Sequence, residues 1–148
     1  MPIRPAQESD LLHLIRLLRE AALPIEGVAD HLNDFLVACD VTGKVVGGVG
    51  LETYGTVGLL RSVVVDPAHR GQGVAATLCR ELLAAARDKG LTDVFLLTTD
   101  AADYFTRHGF KPCERSAAPP GIQATEEYCH LCPETAVFMR LILSPVGK

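Results

Sequence analysis

A short loop before a predicted helix carries the residues best suited to chemistry. It is the glycine-rich stretch made of Arg70, Gly71, Gln72, Gly73, Val74, Ala75 and Ala76. The start of a helix leaves backbone N–H groups without helical partners and carries partial positive charge, so it suits a phosphate group. Gly71 and Gly73 would let the backbone approach such a ligand without an intervening Cβ, and Arg70 would add a forked cationic donor. The stretch predicts a pyrophosphate-binding loop, with a plain glycine turn as the alternative.

The same loop matches a dinucleotide-binding fingerprint. Residues 71–76 read G-x-G-x-x-A, and Asp100 lies near the distance at which a ribose-binding acid is sought. Two observations count against a dinucleotide: residues 66–70 separate the loop from its strand, and the preceding strands read as an antiparallel meander. The sequence has no G-x-x-x-x-G-K-[ST] motif, which argues against a nucleotide triphosphatase. A dinucleotide-binding protein is therefore the less favoured alternative.

Hydrophobic periodicity and turn residues predict the elements that must position the loop. An amphipathic helix capped by Ser9 is expected to end before Pro24, and a second short helix is expected at residues 28–32. The helix after the glycine loop is expected to end at Gly90. Predicted strands lie at residues 2–5, 35–39, 44–51, 57–65, 94–97, from 110 onward and 136–143, with a short helix at 102–108.

The lengths of the connections predict how the strands pair. The early strands are joined by turns too short for a helical crossover, so they should run antiparallel. The strands at 57–65 and 94–97 are joined through a helix, so they should run parallel with a right-handed crossover. The prediction is an α/β fold with a mixed, mostly antiparallel sheet, a central parallel strand pair and flanking helices. A single domain over residues 1–148 is expected.

Charge and hydrophobicity narrow the class of partner. The net charge of −4 argues against a nucleic-acid or anionic-membrane surface as the main partner. No apolar run is long enough to span a bilayer, and the first residues lack the apolar stretch of a signal peptide. The expectation is a cytoplasmic protein that binds neither nucleic acid nor membrane.

The cysteines and histidines show one spacing typical of a metal site. Cys129 and Cys132 form a C-x-x-C pair, but a second pair that would complete a tetrahedral site is missing from the sequence. No metal is therefore predicted, although soft thiolates would suit a trivalent arsenical. The other cysteines are expected to be buried and reduced. The remaining histidines are expected at the surface: His13, His31, His69 and His108.

These motifs together resemble the GNAT acetyltransferase superfamily. The acyl-CoA loop of that family, [Q/R]-x-x-G-x-[G/A], is matched by Arg70, Gly73 and Ala75. The segments 63–67 and 104–110 are also similar to its signature segments, and the likeness in element order extends from residue 2 to residue 110 and loosely to 143. A closer likeness is to the small GNAT proteins associated with arsenic-resistance operons. The segments 30–37, 50–52, 59–65 and 131–133 carry it.

The resemblance implies acetyl-CoA as co-substrate and a small amine as acceptor, either amino-acid-like or arsenic-related. In the family, the parallel strands splay apart and the pantetheine arm pairs with the backbone of the first of them. The resemblance thus assigns the cofactor to the loop at 70–76 and to further residues on both strands and the following helix. These are Val63, Val64, Val65, Thr98 and Phe105. Terminal strands in the superfamily often pair, so a homodimer is also implied.

Direct attack by an amine on the thioester needs a base for the ammonium and an acid for the thiolate. Glu52 is the candidate base, with a solvated carboxylate at a strand end as the alternative. The family's acid is a Tyr four residues before a Gly-Phe pair, where this sequence has Phe105. Tyr104 lies one residue earlier, turned by about 100° around the helix, and is the candidate substitute. The alternatives are that Tyr104 is a packed helix residue and that the thiolate leaves unassisted or takes its proton from water. The departure keeps a non-catalytic acyl-CoA-binding module as an alternative.

Arg61 is the candidate for holding the acceptor. On a regular strand it would share a face with Val63 and Val65 and would point a guanidinium toward a substrate carboxylate. The alternative is an ion pair with Glu52 or another acid.

Overall fold

A computed structural model describes residues 2–99, 101–124 and 136–143. In this part of the chain one sheet contains seven strands in the order β1-β2-β3-β4-β5-β7-β6. The strands are β1 Ile3–Pro5, β2 Phe35–Cys39, β3 Val45–Tyr54, β4 Val57–Val65, β5 Asp93–Thr98, β6 Lys111–Pro112 and β7 Val137–Ile142. The α-helices are α1 Leu11–Glu20, α2 Val74–Asp88, α3 Ala102–Arg107 and α4 Pro120–Gln123.

The central parallel pair is confirmed. β4 and β5 run parallel, with Val57 opposite Asp93, Gly58 opposite Val94 and Leu59 opposite Phe95. β1 with β2, β2 with β3, β5 with β7 and β6 with β7 are antiparallel. The sheet is thus mixed and mostly antiparallel, as predicted, and β4 and β5 are parallel strands joined through α2. β4 continues to Val65 and β5 to Thr98, and the splay between them stays a prediction.

The described chain forms two compact units. The described residues within 1–52 and 61–85 form the first, and those within 53–60 and 86–148 form the second. Because β3, β4 and α2 each supply residues to both, the units are interleaved along the chain rather than consecutive. The single domain expected from composition stays a prediction.

The first unit is built around the apolar face of α1. Leu14, Leu17 and Leu18 are buried at helical spacing and pack with Phe35 and Val37 of β2. The start of the helix differs from the expectation of a Ser9 cap, since residues 8–10 form a 3-10 turn. A cation from β1 holds this turn: Arg4 Nη1 and Nη2 donate to the two carboxylate oxygens of Asp10 at 2.7 and 2.9 Å. The bond from Arg4 lowers the pKa of Asp10.

The second unit has its own apolar cluster. Leu59, Phe95, Ala118, Ile122 and Phe138 are buried together, and the rings of Phe95 and Phe138 stack with centroids 5.3 Å apart.

Cysteine burial leads to a test of the packing. Cys39 and Cys79 are free and buried, and Cys113 is half-buried, whereas Cys129 and Cys132 lie outside the described residues. Burial raises the pKa of Cys79 to about 12. Because the thiolate is the reacting species, we expect Cys79 to resist iodoacetamide at about pH 8 in the folded protein and to react after unfolding. Peptide mass mapping of alkylated protein measures this, and rapid native-state labelling of Cys79 would contradict the burial.

In the described part of the chain, no helix combines the length and the apolar character needed to cross a membrane.

Candidate active site

The glycine-rich loop connects β4 to α2 through a short ordered turn. The Asp66 side chain accepts a hydrogen bond from Ala68 N at 2.9 Å and so caps a 3-10 turn at Pro67–His69. Asp66 N also donates to Val46 O at 2.7 Å, which fixes the end of β4 against β3. Arg70 is exposed, and its Nε donates to Val65 O at 3.1 Å. These hydrogen bonds fix the N-terminal end of the glycine-rich loop.

Both predicted glycines have backbone conformations that favour glycine. Gly71 and Gly73 have φ of +79° and +77°, in the left-handed region that other residues rarely adopt. A Cβ built on either one would have no heavy atom within 4 Å. The side of the backbone that these glycines leave bare is therefore open, as a cradle for a ligand requires.

The helix after the loop begins at Val74, one residue after Gly73. Thr77 N and Thr77 Oγ1 both bond to Gly73 O at 3.0 Å, which closes the first turn. The backbone N–H groups of Val74, Ala75 and Ala76 belong to that turn, where α-helical geometry provides no carbonyl for them. With Gln72, which is exposed, they form an electropositive backbone edge.

A glycine in β3 sets the position of this helix start. A Cβ on Gly47 would lie 3.1 Å from Val64 O, 3.3 Å from Leu78 Cδ1 and 3.4 Å from Val74 Cγ1. The bare backbone of β3 thus lets the first turn of α2 approach the sheet closely. The glycine-rich loop therefore connects two elements, β4 and α2, that both pack against β3.

The apolar end of β4 has alternating burial. Val64 is buried, while Val63 and Val65 are half-buried. The alternation expected between Arg61 and Val63 is interrupted at Ser62, whose φ is +62°. A left-handed conformation is costly for a non-glycine residue, on the order of 1–3 kcal/mol.

Glu52 and Arg61 meet across the β3–β4 hairpin in the first unit. Arg61 Nη1 lies 2.6 Å from Glu52 Oε2, and the two side chains are 1% and 7% exposed. Arg61 also donates through Nε to Ser62 Oγ at 2.9 Å, through Nη1 to Glu26 O at 2.5 Å and through Nη2 to Pro24 O at 3.3 Å. The guanidinium is therefore buried among protein acceptors. The geometry corresponds to the ion-pair alternative, and a role of Arg61 in holding the acceptor stays a prediction.

One residue in contact with this pair was not anticipated from the sequence. His31 Nε2 lies 3.7 Å from Glu52 Oε1, and the His31 side chain is 28% exposed. The segment expected to be a helix at residues 28–32 instead forms hydrogen-bonded turns followed by a 3-10 turn at Leu32–Asp34. Gly27 has φ +80°, and His31 N donates to Gly27 O at 3.1 Å. His31 is thus a partly exposed member of the cluster rather than a solvated surface residue.

The remaining predicted residues lie in the second unit. Thr98 is buried at the end of β5, and its Oγ1 accepts a hydrogen bond from Ala101 N at 3.0 Å just before α3. Phe105 is buried and its ring lies 5.7 Å from that of Phe110. Tyr104 is half-buried with a buried hydroxyl oxygen, and its ring lies 4.6 Å from that of His108.

Among the described residues, no group of three or more His, Cys, Asp or Glu side chains could hold a metal ion. The C-x-x-C pair of Cys129 and Cys132 lies outside them.

Comparison with known proteins gives a family match over most of the chain. The model of the Acetyltransferase (GNAT) family matches residues 7–110. A relative in Mycobacterium tuberculosis, an "Amino-acid acetyltransferase", is 38% identical over 61% of this chain and 51% of its own length. The "Glucosamine 6-phosphate N-acetyltransferase" of Trypanosoma brucei brucei is 32% identical over 78% of this chain and 92% of its own length. The chain thus spans about half the length of the mycobacterial relative.

The fold has close counterparts among solved structures. The structure of Rv2747 from Mycobacterium tuberculosis, in complex with CoA and the ligand NLQ, superposes with a TM-score of 0.83. It is 28% identical, and the superposition covers 97% of this chain and 100% of that one.

Proposed function

Since the chain belongs to the acetyltransferase (GNAT) family, we propose that it transfers the acetyl group of acetyl-CoA to the amine of a small, amino-acid-like acceptor. The observation that carries the proposal is the pair of positive-φ glycines at the start of α2, with open space where their side chains would be. Relatives named for acetyl transfer to amino acids and to an amino sugar phosphate support the reaction class. A solved relative in complex with CoA supports the co-substrate.

The pyrophosphate of acetyl-CoA is proposed to bind the backbone N–H groups from Gly71 to Ala76. Partial positive charge at the helix start and the bare glycine backbone favour an anion there. Arg70, exposed beside the loop, adds a cation. The pantetheine arm is proposed to pair with the backbone of Val63, Val64 and Val65, a strand-like contact that requires no particular side chain.

Thr98 and Phe105 are proposed as further cofactor-binding residues. Thr98 accepts the bond that fixes the start of α3, and Phe105 anchors that helix in the core.

The chemistry is a direct attack of a neutral amine on the thioester carbonyl. The acceptor's ammonium loses one proton to a base before attack, and the new amide nitrogen loses a second as the C–S bond breaks. The sulfur leaves as thiolate and takes up a proton to give CoA-SH, so one proton is released overall. The base is proposed to be built around Glu52, and Tyr104 is proposed to supply the proton to sulfur.

A non-catalytic acyl-CoA-binding protein is a second candidate because of two specific features. Phe105 occupies the position at which the family has its general-acid tyrosine, and Glu52 forms an ion pair with Arg61. Family membership argues against the dinucleotide alternative. An arsenic-related acceptor would depend on Cys129 and Cys132, which lie outside the described residues, and the names of the relatives favour amines of amino acids. The homodimer and the cytoplasmic location stay predictions.

The release of free CoA from acetyl-CoA tests the proposal. The full chain is incubated with a panel of amines that includes amino acids, their amides and glucosamine 6-phosphate, and thiol release is followed with a chromogenic reagent. We expect release with at least one α-amino acid and a mass increase of that acceptor corresponding to acetylation. Binding of acetyl-CoA without release across the panel would favour the non-catalytic candidate.

Replacing Gly73 with valine is expected to weaken acetyl-CoA binding by about tenfold or more, equivalent to about 1.4 kcal/mol. The new side chain would enter the open space above the loop, and a β-branched residue at positive φ would distort the helix start. Isothermal calorimetry with acetyl-CoA measures the affinity.

A matched control separates ligand contact from backbone strain. Gly43 lies in the β2–β3 turn with φ +86° and, like Gly73, has no heavy atom within 4 Å of a built Cβ. Gly43→Val carries comparable strain and is expected to leave acetyl-CoA affinity unchanged. Equal affinities of the two variants would show that the loop does not hold the phosphates.

A further inference from the structure

Three neighbouring side chains differ in how deeply they are buried: His31 is the most exposed, Glu52 is intermediate and Arg61 is the most buried. The exposed fraction of the side chain falls from 28% at His31 to 7% at Glu52 and 1% at Arg61. The two carboxylate oxygens of Glu52 are used separately: Oε2 is 2.6 Å from Arg61 Nη1, and Oε1 is 3.7 Å from His31 Nε2. The carboxylate therefore lies between a buried permanent cation and an imidazole that reaches solvent.

The loop that carries His31 packs closely against Glu52 and Arg61. A Cβ on Gly27 would lie 3.1 Å from Arg61 Nη1, 3.6 Å from Glu52 Oε2 and 3.8 Å from His31 Cδ2. His31 N donates to Gly27 O at 3.1 Å, which closes the turn between them. Glu26 O, one residue before this glycine, accepts a bond from Arg61. The same turn thus places the imidazole and completes the surroundings of the guanidinium.

We propose that His31 is the group that takes the proton from the acceptor amine, and that Glu52 acts through it as a positioning residue. The inference rests on the proposed acetyl transfer and names the base within it. A general base must come within hydrogen-bond reach of the proton it removes. Glu52 is almost fully covered and directs one oxygen to Arg61, whereas His31 presents part of its ring to solvent.

The proton and charge changes of this step balance. Neutral His31 accepts a proton from the acceptor's ammonium at the ring nitrogen remote from Glu52, which leaves a neutral amine and an imidazolium. The Glu52 carboxylate, 3.7 Å from Nε2, faces the positive charge that forms on the ring. The amine then attacks the thioester, and the imidazolium returns its proton to solvent from its exposed edge. Arg61, through its contact with Oε2, keeps Glu52 in place through the cycle.

Charged groups near the imidazole come from three elements. Glu52 lies on β3 and Arg61 on β4, while Glu26, Asp30 and Asp34 lie within five residues on the loop of His31 itself. The acceptor's own ammonium also loses its proton as pH rises, so the test must separate the contribution of His31 from those of the acceptor and the carboxylates.

Replacing His31 with glutamine provides the central measurement. A general base contributes about 10²- to 10⁴-fold, so we expect kcat with the best acceptor of the amine panel to fall by at least about 100-fold. Acetyl-CoA affinity and the thermal unfolding temperature should stay near those of the parent protein, because the residue is partly exposed. The rate of His31→Gln should follow the fraction of free amine in solution, so its loss relative to the parent should be greatest at the acid end of the pH profile. His13→Gln, at an exposed position of α1, is the matched control and should retain parental kinetics.

A second variant keeps the test independent of side-chain packing. His31→Gly creates space for a small base, and added imidazole is expected to restore part of its turnover while leaving His31→Gln unaffected. Parental kcat and an unchanged pH profile in His31→Gln would overturn the role of His31 and leave acetyl transfer standing. Absence of CoA release by the parent protein with every amine would instead refute the proposed function, and the assignment of the base with it.

Discussion

Glu52→Gln is expected to lower kcat by about 10²- to 10⁴-fold while changing acetyl-CoA affinity little. Glutamine keeps the shape of the side chain but removes the negative charge that faces both Arg61 and His31. Without that carboxylate His31 loses the group that positions it, and the reaction depends on free amine already present in solution. Because free amine becomes scarcer as pH falls, the loss should be greatest at the acid end of the pH profile.

Stability must be measured beside the kinetics, because Glu52→Gln leaves Arg61 without its buried counter-ion. Arg61→Met combined with Glu52→Gln removes both charges and serves as the second variant. If the double variant recovers stability but not turnover, the carboxylate contributes to the chemistry. A single variant with parental kcat and an unaltered pH profile would assign proton removal to water or to another residue.

The features that the sequence predicted well are those determined by neighbouring residues. The glycine loop follows an apolar strand and precedes an amphipathic helix, and Gly71, Gly73 and Gly90 all have the positive φ that their places in the motif require. The parallel arrangement of β4 and β5 follows from the length of their connection. Short turns likewise determine the antiparallel pairing of β2 with β3.

The features that the sequence missed depend on contacts between distant segments. His31 is 21 positions from Glu52, and no periodicity relates the two. The positive φ of Ser62 has no signal either, because serine does not favour that region, and it interrupts the alternation that would have placed Arg61 beside Val63. The one local clue to His31 was a glycine four residues before it, in a segment that helical periodicity alone assigned to a helix.

The ion pair of Glu52 and Arg61 shows how far the contacts of charged residues can be predicted from the sequence. Glu52 and Arg61 are nine positions apart across a hairpin, so the sequence could name the pair only as one alternative for Arg61. Which alternative holds depends on burial, since a covered guanidinium must find acceptors within the protein. Two backbone carbonyls from the loop before β2, those of Pro24 and Glu26, provide them.

The second large effect is expected in stability. Arg61→Met should lower the free energy of unfolding by about 3–5 kcal/mol, because it leaves the Glu52 carboxylate buried without its cation. Two backbone carbonyls would also lose their donor. For a chain of this size the change corresponds to a fall of about 6–20 °C in Tm. Urea denaturation of the free protein, followed by circular dichroism, measures the free energy directly.

Two comparisons test whether the loss of unfolding free energy in Arg61→Met comes from the buried ion pair of Glu52 and Arg61. Arg16→Met breaks an ion pair on α1 in which Arg16 and Glu20 are 53% and 63% exposed, so it should change the free energy by less than about 1 kcal/mol. The double variant with Glu52→Gln and Arg61→Met should regain part of the loss, since removing both charges costs less than stranding one. If Arg61→Met is no more destabilising than Arg16→Met, then Glu52 reaches solvent in the absence of its partner. The carboxylate would in that case be free to meet the acceptor amine itself, and the need for His31 as intermediary would disappear.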